Sequence, residues 1–225
     1  MRLLICAATE FEISPTLQYL QSFGKATEKT SFRQGTIEIS MLITGVGAVA
    51  MAARCMHAVL NQKIDLMINA GIAGSFTEKL KIGDTCLVEK DRFGDLGTSH
   101  ADGSFSDVFD MGLESPDLFP FQQGWLTPQI PQNITLNIPS ASAITVNKVT
   151  GHTLAIQEMT AKYHADLESM EGAGFFYAGM LADIHVLQIR TISNYVTPRD
   201  TSTWNIPLAI QNLNQHLIEI IRALA

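Results

Sequence analysis

Glu168 and Glu171 lie three residues apart in Asp-Leu-Glu-Ser-Met-Glu-Gly-Ala-Gly (166–174), at the head of a run of small and apolar residues. Gly172, Ala173 and Gly174 put no bulk behind them, so another group can come close to the carboxylates. A polyol or a sugar fits such a place. The simpler alternative is a first-turn acid favoured by the dipole of a helix expected over 171–182. Polar residues that follow apolar runs elsewhere weigh against it: Glu12, the stretch Gly71-Ile72-Ala73-Gly74-Ser75, Asn147 at the head of 147–150, Ser193-Asn194 and Arg199-Asp200. Carboxylates, a side-chain amide and glycine-lined backbone in one crevice can break a glycosidic bond through an oxocarbenium-like sugar. One carboxylate activates water and another stabilises the developing positive charge.

These residues need a scaffold that brings distant positions together. With 225 residues, 46% hydrophobic and 16% charged, the chain can bury one large core, and a single domain over 1–225 is expected. Apolar runs predict strands at 2–8, 37–43, 65–69, 85–89, 134–138, 143–147 and 185–192. Helices are predicted from Ser14-Pro15 to Gly24 with Leu17, Leu20 and Phe23 inward, and over 48–60, 153–163 and 171–182. A closing helix carries Ile206, Ile210, Leu213, Leu217, Ile220 and Leu224 at helical spacing, with Asn205 as its cap. This alternation predicts an α/β fold with a twisted, mostly parallel central sheet and helices on both faces. Ligands in such sheets sit beyond the carboxyl ends of the strands, where the polar residues fall. From about 91 to 133 the pattern fails among Pro116, Pro120, Pro128, Pro131 and scattered phenylalanines. A long irregular loop there predicts a lid, a binding loop or an interface.

Composition excludes several classes. A net charge of -7 and a pI near 5.3 argue against nucleic acid and acidic membranes as partners. Cys6, Cys55 and Cys86 are odd in number and sit in apolar runs, as reduced thiols of a cytoplasmic protein do. The opening apolar run is too short for a signal peptide, and Arg54 and His57 interrupt the next one, so neither export nor a membrane span is expected. Gly45-Val46-Gly47 imitates a dinucleotide fingerprint but follows the wrong strand, and a tight strand-to-helix turn explains it. Asp95, His100 and Asp102 lack a frame for metal geometry, and Ser75 and Ser193 lack the setting of a nucleophile. No metal and no cofactor are expected.

Four separated phrases resemble the nucleoside phosphorylase and nucleosidase superfamily, which includes methylthioadenosine/S-adenosylhomocysteine nucleosidase. They are Ala7-Ala8-Thr9-Glu10-Phe11-Glu12, Asn69-Ala70-Gly71-Ile72-Ala73-Gly74, Ser169-Met170-Glu171 and Arg190-Thr191-Ile192-Ser193-Asn194. More narrowly, Phe93-Gly94-Asp95-Leu96-Gly97, residues 107–113, Glu168-Ser169-Met170-Glu171-Gly172, Ile192-Ser193-Asn194-Tyr195-Val196, Pro198-Arg199-Asp200 and Trp204 look like the futalosine hydrolase family. That family removes hypoxanthine from futalosine in a route to menaquinone.

The resemblance implies that Glu12 takes a proton from the attacking water, that Glu171 holds the ribose hydroxyls, and that Met170 lies against the sugar. A carboxylate accepting from a ribose hydroxyl binds more strongly as the anomeric carbon becomes cationic. Asn194 stands where the methylthioadenosine nucleosidases carry an aspartic acid. Its amide can donate to N7 and O6, both acceptors in hypoxanthine, which favours a 6-oxopurine, yet an amide cannot supply a proton at neutral pH. Arg190 is expected to orient Glu12 or water. Ile72, Gly71, Ser193, Asn147 and Arg199 complete the expected substrate contacts. Aromatic residues of 91–133 offer an apolar slot for the benzoate tail of futalosine, and Arg199, Lys148 or Arg33 a cation for it. The partner is then a purine nucleoside, and the phenylalanine-bearing loop and low charge favour a homodimer or higher homo-oligomer. Two competitors remain: a phosphorolytic transferase, disfavoured because Glu10 and Glu12 repel phosphate, and a non-catalytic nucleoside-binding protein, for which Glu12 has no purpose.

Overall fold

The computed structural model describes residues 1–225 except 24, 29, 132, 133 and 135, with only the backbone for 25–28. The chain opens with β1 (Arg2–Ala7), α1 (Glu10–Phe23), β2 (Lys25–Glu28), β3 (Ser31–Gln34), β4 (Ile37–Ile43) and α2 (Ala48–Asn61). Its middle holds β5 (Leu66–Ser75), β6 (Thr85–Phe93) and the short β7 (Gly97–Ser99), β8 (Phe105–Asp107), β9 (Phe121–Gln122) and β10 (Trp125–Leu126). It ends with β11 (Ser140–Thr145), α3 (Thr153–Tyr163), β12 (Leu167–Ser169), α4 (Gly172–Leu181), β13 (His185–Tyr195) and α5 (Ile206–Leu224).

The main sheet runs β2-β3-β4-β1-β5-β12-β11-β6-β10-β9, and β13 pairs with both β5 and β6. Its centre is parallel, since β1 pairs β4 and β5, and β13 pairs β5 in that sense. Antiparallel pairs enter at β12–β5, β13–β6 and the outer strands, so the sheet is mixed. Because β13 reaches both neighbours, strands β5, β12, β11, β6 and β13 close into a ring. Helices cover both faces, as the alternation of elements requires. On β1, Leu3, Ile5 and Ala7 pack with α1 and α5 residues such as Ile13, Leu20, Leu213 and Leu217. Leu4 and Cys6 point the other way, toward Met51 and Cys55 of α2 and Phe176 of α4. All three cysteines are free and buried. Among the described residues no helix is long and apolar enough to cross a membrane.

The structure changes several local expectations. The first helix begins at Glu10, not at Ser14-Pro15, and Pro15 lies within it. The reason is a Thr-x-x-Glu capping arrangement, in which the Thr9 N–H donates to Oε2 of Glu12 at 3.0 Å. Its inner face is Ile13, Thr16 and Leu20, while Phe23 is exposed and rests on Tyr19 with centroids 5.3 Å apart. The expected end at Gly24 lies outside the described residues. Residues 71–75 form the second half of β5, and 193–195 the end of β13, where the strands were expected to stop at 69 and 192. β6 carries Asp91 into the core, and four short strands follow within 91–133. Of the strand expected at 134–138, position 135 lies outside the described residues and the others are not in a strand.

Candidate active site

Glu12 sits in the first turn of α1, and its capping role already fixes one oxygen. Oε2 accepts from the Thr9 N–H and from the Thr9 hydroxyl at 3.1 Å. Oε1 accepts from the Ile72 N–H of β5 at 3.2 Å. Burial pushes this carboxyl above its ordinary range; Arg190 and the two backbone donors pull it back, and the charge of Glu171 pushes it further up. Arg190 lies beneath, fully buried, with Nη1 donating to Oδ1 of Asn69 at 3.3 Å. A side chain at position 71 would collide with that Nη1 and stand 3.1 Å from Oε1 of Glu12, so glycine there lets the guanidinium and the carboxylate approach. The result is a buried carboxyl with a guanidinium nearby that favours its anionic form, an arrangement able to accept a proton.

Glu171 immediately precedes α4. Its Oε1 accepts from the Gly47 N–H at 3.0 Å. Gly47 has φ 101 and ψ 152 at the start of α2, a conformation open essentially to glycine alone. The false dinucleotide fingerprint is therefore a strand-to-helix turn that also grips Glu171. Below it, the Ala173 N–H donates to Oγ1 of Thr145 at 2.7 Å, and that hydroxyl donates to Asp91 at 3.0 Å. Gln188 Nε2 donates to the other Asp91 oxygen at 3.0 Å, and burial lifts the Asp91 carboxyl to about 6. This network ties the start of α4 to the sheet.

At the far end of the site, β5 is flanked at Gly74 by Asn194 of β13 and by Glu168 of β12. Oδ1 of Asn194 accepts from the Ser193 hydroxyl at 2.8 Å, and Nδ2 donates to the Tyr195 carbonyl at 3.0 Å. These contacts fix the orientation of the amide and leave one N–H of Nδ2 for a ligand. Glu168, expected with Glu171 as one of two approachable carboxylates but given no specific role, is buried, with Oε1 accepting from the Thr150 N–H at 3.1 Å. Oε2 has no hydrogen-bond partner, and burial raises the carboxyl to about 7. Its burial and its unpaired oxygen carry no signal in the sequence.

Glu12, Ile72, Met170, Glu171, Ser193 and Asn194 all line one cavity of about 290 Å³. Glu168 and Trp204 line it as well. Gly71 and Arg190 stand behind its wall. Two expected contacts fall elsewhere. Asn147 is exposed and turned to Asp95, with its N–H 2.6 Å from Oδ2 and its amide 3.0 Å from Oδ1. Arg199 is exposed and lies over the Trp204 ring, 5.2 Å from its centroid. Arg33 pairs with Glu38 beside Arg2, at the opposite end of the strands. The aromatic residues of 91–133 also leave the cavity: Phe109 and Phe121 pack on each other at 5.2 Å, and Phe121 on Tyr177 at 5.8 Å. The apolar wall comes instead from residues such as Phe11, Val46, Val149 and Ile206. No Lys or Arg is among the described residues lining the cavity.

Known proteins resemble the chain in both sequence and fold. The chain is 31% identical over 186 residues to futalosine hydrolase of Streptomyces coelicolor, covering 77% of this chain and 74% of that one. It is 26% identical over 207 residues to 5'-methylthioadenosine/S-adenosylhomocysteine nucleosidase of Maridesulfovibrio salexigens, covering 87% of each. The nucleosidase of Colwellia psychrerythraea in complex with adenine superposes with a TM-score of 0.81 at 19% identity, covering 100% of this chain and 96% of that one. Futalosine hydrolase of Helicobacter pylori superposes with a TM-score of 0.78 at 14% identity, over 99% and 97% of the two chains. The sequence pattern of the phosphorylase superfamily matches residues 2–224. With that match spanning nearly the whole chain, the protein belongs to the phosphorylase superfamily.

Proposed function

We propose that the protein is a purine nucleoside N-ribosyl hydrolase that releases hypoxanthine from futalosine. The observation that carries the reading is the placement of Glu12 and Glu171 on the wall of one cavity, each anchored by a backbone N–H, with the charge of Glu171 felt at Glu12. Water held by Glu12 attacks the anomeric carbon while Glu171 accepts from the ribose hydroxyls. That second contact strengthens as the sugar becomes cationic, so it favours the transition state over the bound substrate. Asn194, with its carbonyl oxygen held by Ser193, turns an N–H toward the base, which suits the N7 and O6 acceptors of a 6-oxopurine.

Phosphorolysis is disfavoured by charge. Among the described residues the cavity wall carries Glu12, Glu168 and Glu171 and no Lys or Arg, so a phosphate ion there would face carboxylates with no cation on the wall to offset them. The nucleosidase relative aligned over 87% of both chains supports a second reading, cleavage of methylthioadenosine. Asn194 weighs against it, because adenine presents an amino donor at position 6. Incubation in phosphate-free buffer with futalosine, its 6-amino analogue, inosine and methylthioadenosine, followed by measurement of free base, decides among them. The expected result is hypoxanthine release from futalosine without phosphate. Dominant adenine release from methylthioadenosine overturns the substrate, and strict dependence on phosphate overturns hydrolysis.

A further inference from the structure

The hydrolytic reading leaves one proton unaccounted for. When the bond from the anomeric carbon to N9 breaks, its electron pair passes to the purine, which departs as an anion unless a proton is delivered to it. Asn194 faces that base, but an amide releases no proton at neutral pH. We propose that Glu168 is the acid that protonates the departing purine, with Asn194 reading the same edge as a neutral donor. The inference rests on the hydrolase reading and deepens it.

The geometry supports the assignment. Glu168 and Asn194 flank Gly74 from opposite sides, through pairings of β12 and β13 with β5. A methyl group on Gly74 would stand 3.2 Å from Nδ2 of Asn194 and 3.7 Å from Cγ of Glu168, so both side chains converge on one spot at the cavity wall. A 6-oxopurine offers two acceptors on one edge, N7 and O6, and an amide N–H beside a carboxylic O–H supplies two donors. One oxygen of Glu168 is anchored by the Thr150 N–H, and the other is buried without a protein partner. A buried carboxylate oxygen left unpaired is costly, whereas a protonated one that meets an acceptor on the ligand is not.

The charged surroundings favour the protonated form. Burial is the main cause of the rise to about 7, and Asp95 on the loop after β6 adds to it. β11 and β5, which pair with β12, contribute no titratable side chain beside it. Lys148 and Arg199, on the loops that flank Thr150, are exposed. Glu12 and Glu171 line the same cavity, and the proposed hydrolysis assigns them to water and the ribose hydroxyls. In the step itself, the proton leaves Glu168 for N7 as the bond to N9 breaks. Water bonds to the anomeric carbon and gives its proton to Glu12, and both carboxyls reset by exchange with solvent.

The test uses two leaving groups. Futalosine or inosine releases a purine that needs a proton, whereas p-nitrophenyl β-D-riboside releases a phenolate that does not. For the wild type, kcat on the purine nucleoside should fall above pH about 7, where Glu168 loses its proton, and kcat on the nitrophenyl riboside should not. Glu168→Gln should lower kcat on the purine nucleoside by about 100-fold or more and remove the alkaline fall, while cleaving the nitrophenyl riboside within about 3-fold of the wild type. A wild-type profile that is flat above pH 7 on purine nucleosides overturns the proposal without recourse to any variant, as does a Gln variant that slows both substrates alike or keeps the alkaline fall. If the wild type frees purine from no nucleoside, the hydrolase reading falls and the role of Glu168 with it. If the wild type is active but one of the other results is seen, only Glu168 is displaced.

Discussion

Gly47 donates its backbone N–H to Oε1 of Glu171 at 3.0 Å, across 124 positions of sequence. The bond couples the turn that starts α2 to the carboxylate that precedes α4. The same two helices touch again where Gly174 packs against the backbone of Ala48.

Gly47→Ala isolates this bond. No atom stands within 4 Å of the added methyl group, so the cost is backbone strain alone, about 1–3 kcal/mol for a conformation reserved to glycine. In a chain of this size that lowers Tm by roughly 2–12 °C. As the turn relaxes, Glu171 loses its donor, and kcat/KM on ribosides should drop about 10-fold, equivalent to about 1.4 kcal/mol. Affinity for the free purine base should hold, and calorimetric titration with hypoxanthine checks it.

Glu12→Gln removes the base without changing shape. Turnover should fall by a factor of about 100 to 10,000, while the Kd of an uncleavable nucleoside analogue changes little. With Glu12 as the base of the proposed hydrolysis, activity requires it deprotonated, and kcat/KM should fall as pH drops through its pKa. Burial has raised that pKa, so the acid limb should lie above the ordinary glutamate value of 4.5. A variant that still turns over at the wild-type rate removes Glu12 from the chemistry.

Asn194→Asp should shift base preference toward 6-aminopurines. A carboxylate at this position accepts from a 6-amino group, whereas opposite the O6 of hypoxanthine it leaves a mismatched polar contact worth roughly 1–3 kcal/mol. The ratio of kcat/KM for futalosine over its 6-amino analogue should fall by about 10-fold or more. An unchanged ratio would separate Asn194 from recognition of the base.

Asp91 gives a pH dependence of stability apart from catalysis. Its folded pKa of about 6 lies above the ordinary 3.8, so the folded state binds the proton more tightly. The stabilisation by protonation is complete below the unfolded pKa and is lost as pH rises through 6, an effect of roughly 2–3 kcal/mol. Asp91→Asn should therefore raise Tm at pH 8 and leave it nearly unchanged at pH 4. Gln188 can accommodate the new amide by turning its Oε1, which has no partner in the wild type, toward it. Thermal melts at the two pH values test this.

The sequence is most readable where a local pattern carries the information. The apolar run of β1 predicts burial on both sides, and its odd and even residues do enter different cores. Asn205 and Pro207 mark the start of α5, and Asn205 Oδ1 accepts from the Leu208 N–H at 3.1 Å. Glu12 is found by looking beyond the first parallel strand, whereas β12, the short strand that carries the chain to Glu171, was not expected. The start of α1 was also written locally, in Thr-x-x-Glu, but the Ser14-Pro15 pair gives a competing signal. Closure of the ring through β13 was not readable, because its antiparallel pairing with β6 joins residues about a hundred positions apart. Asn147 fails for a similar reason: it follows β11, yet Asp95 from a different loop captures both its backbone and its amide.

β5 carries the Ile72 N–H that grips Glu12 and, two residues on, the Gly74 backbone that separates Asn194 from Glu168. A strand advances about 3.3 Å per residue, so these anchors are spaced by about 7 Å on one stiff ruler. On the proposed hydrolysis, the span between incoming oxygen and outgoing heterocycle is thus engraved in main chain, beyond the reach of ordinary side-chain exchange. Retuning which heterocycle departs becomes a matter of repainting the far mark, with the near mark left as it stands.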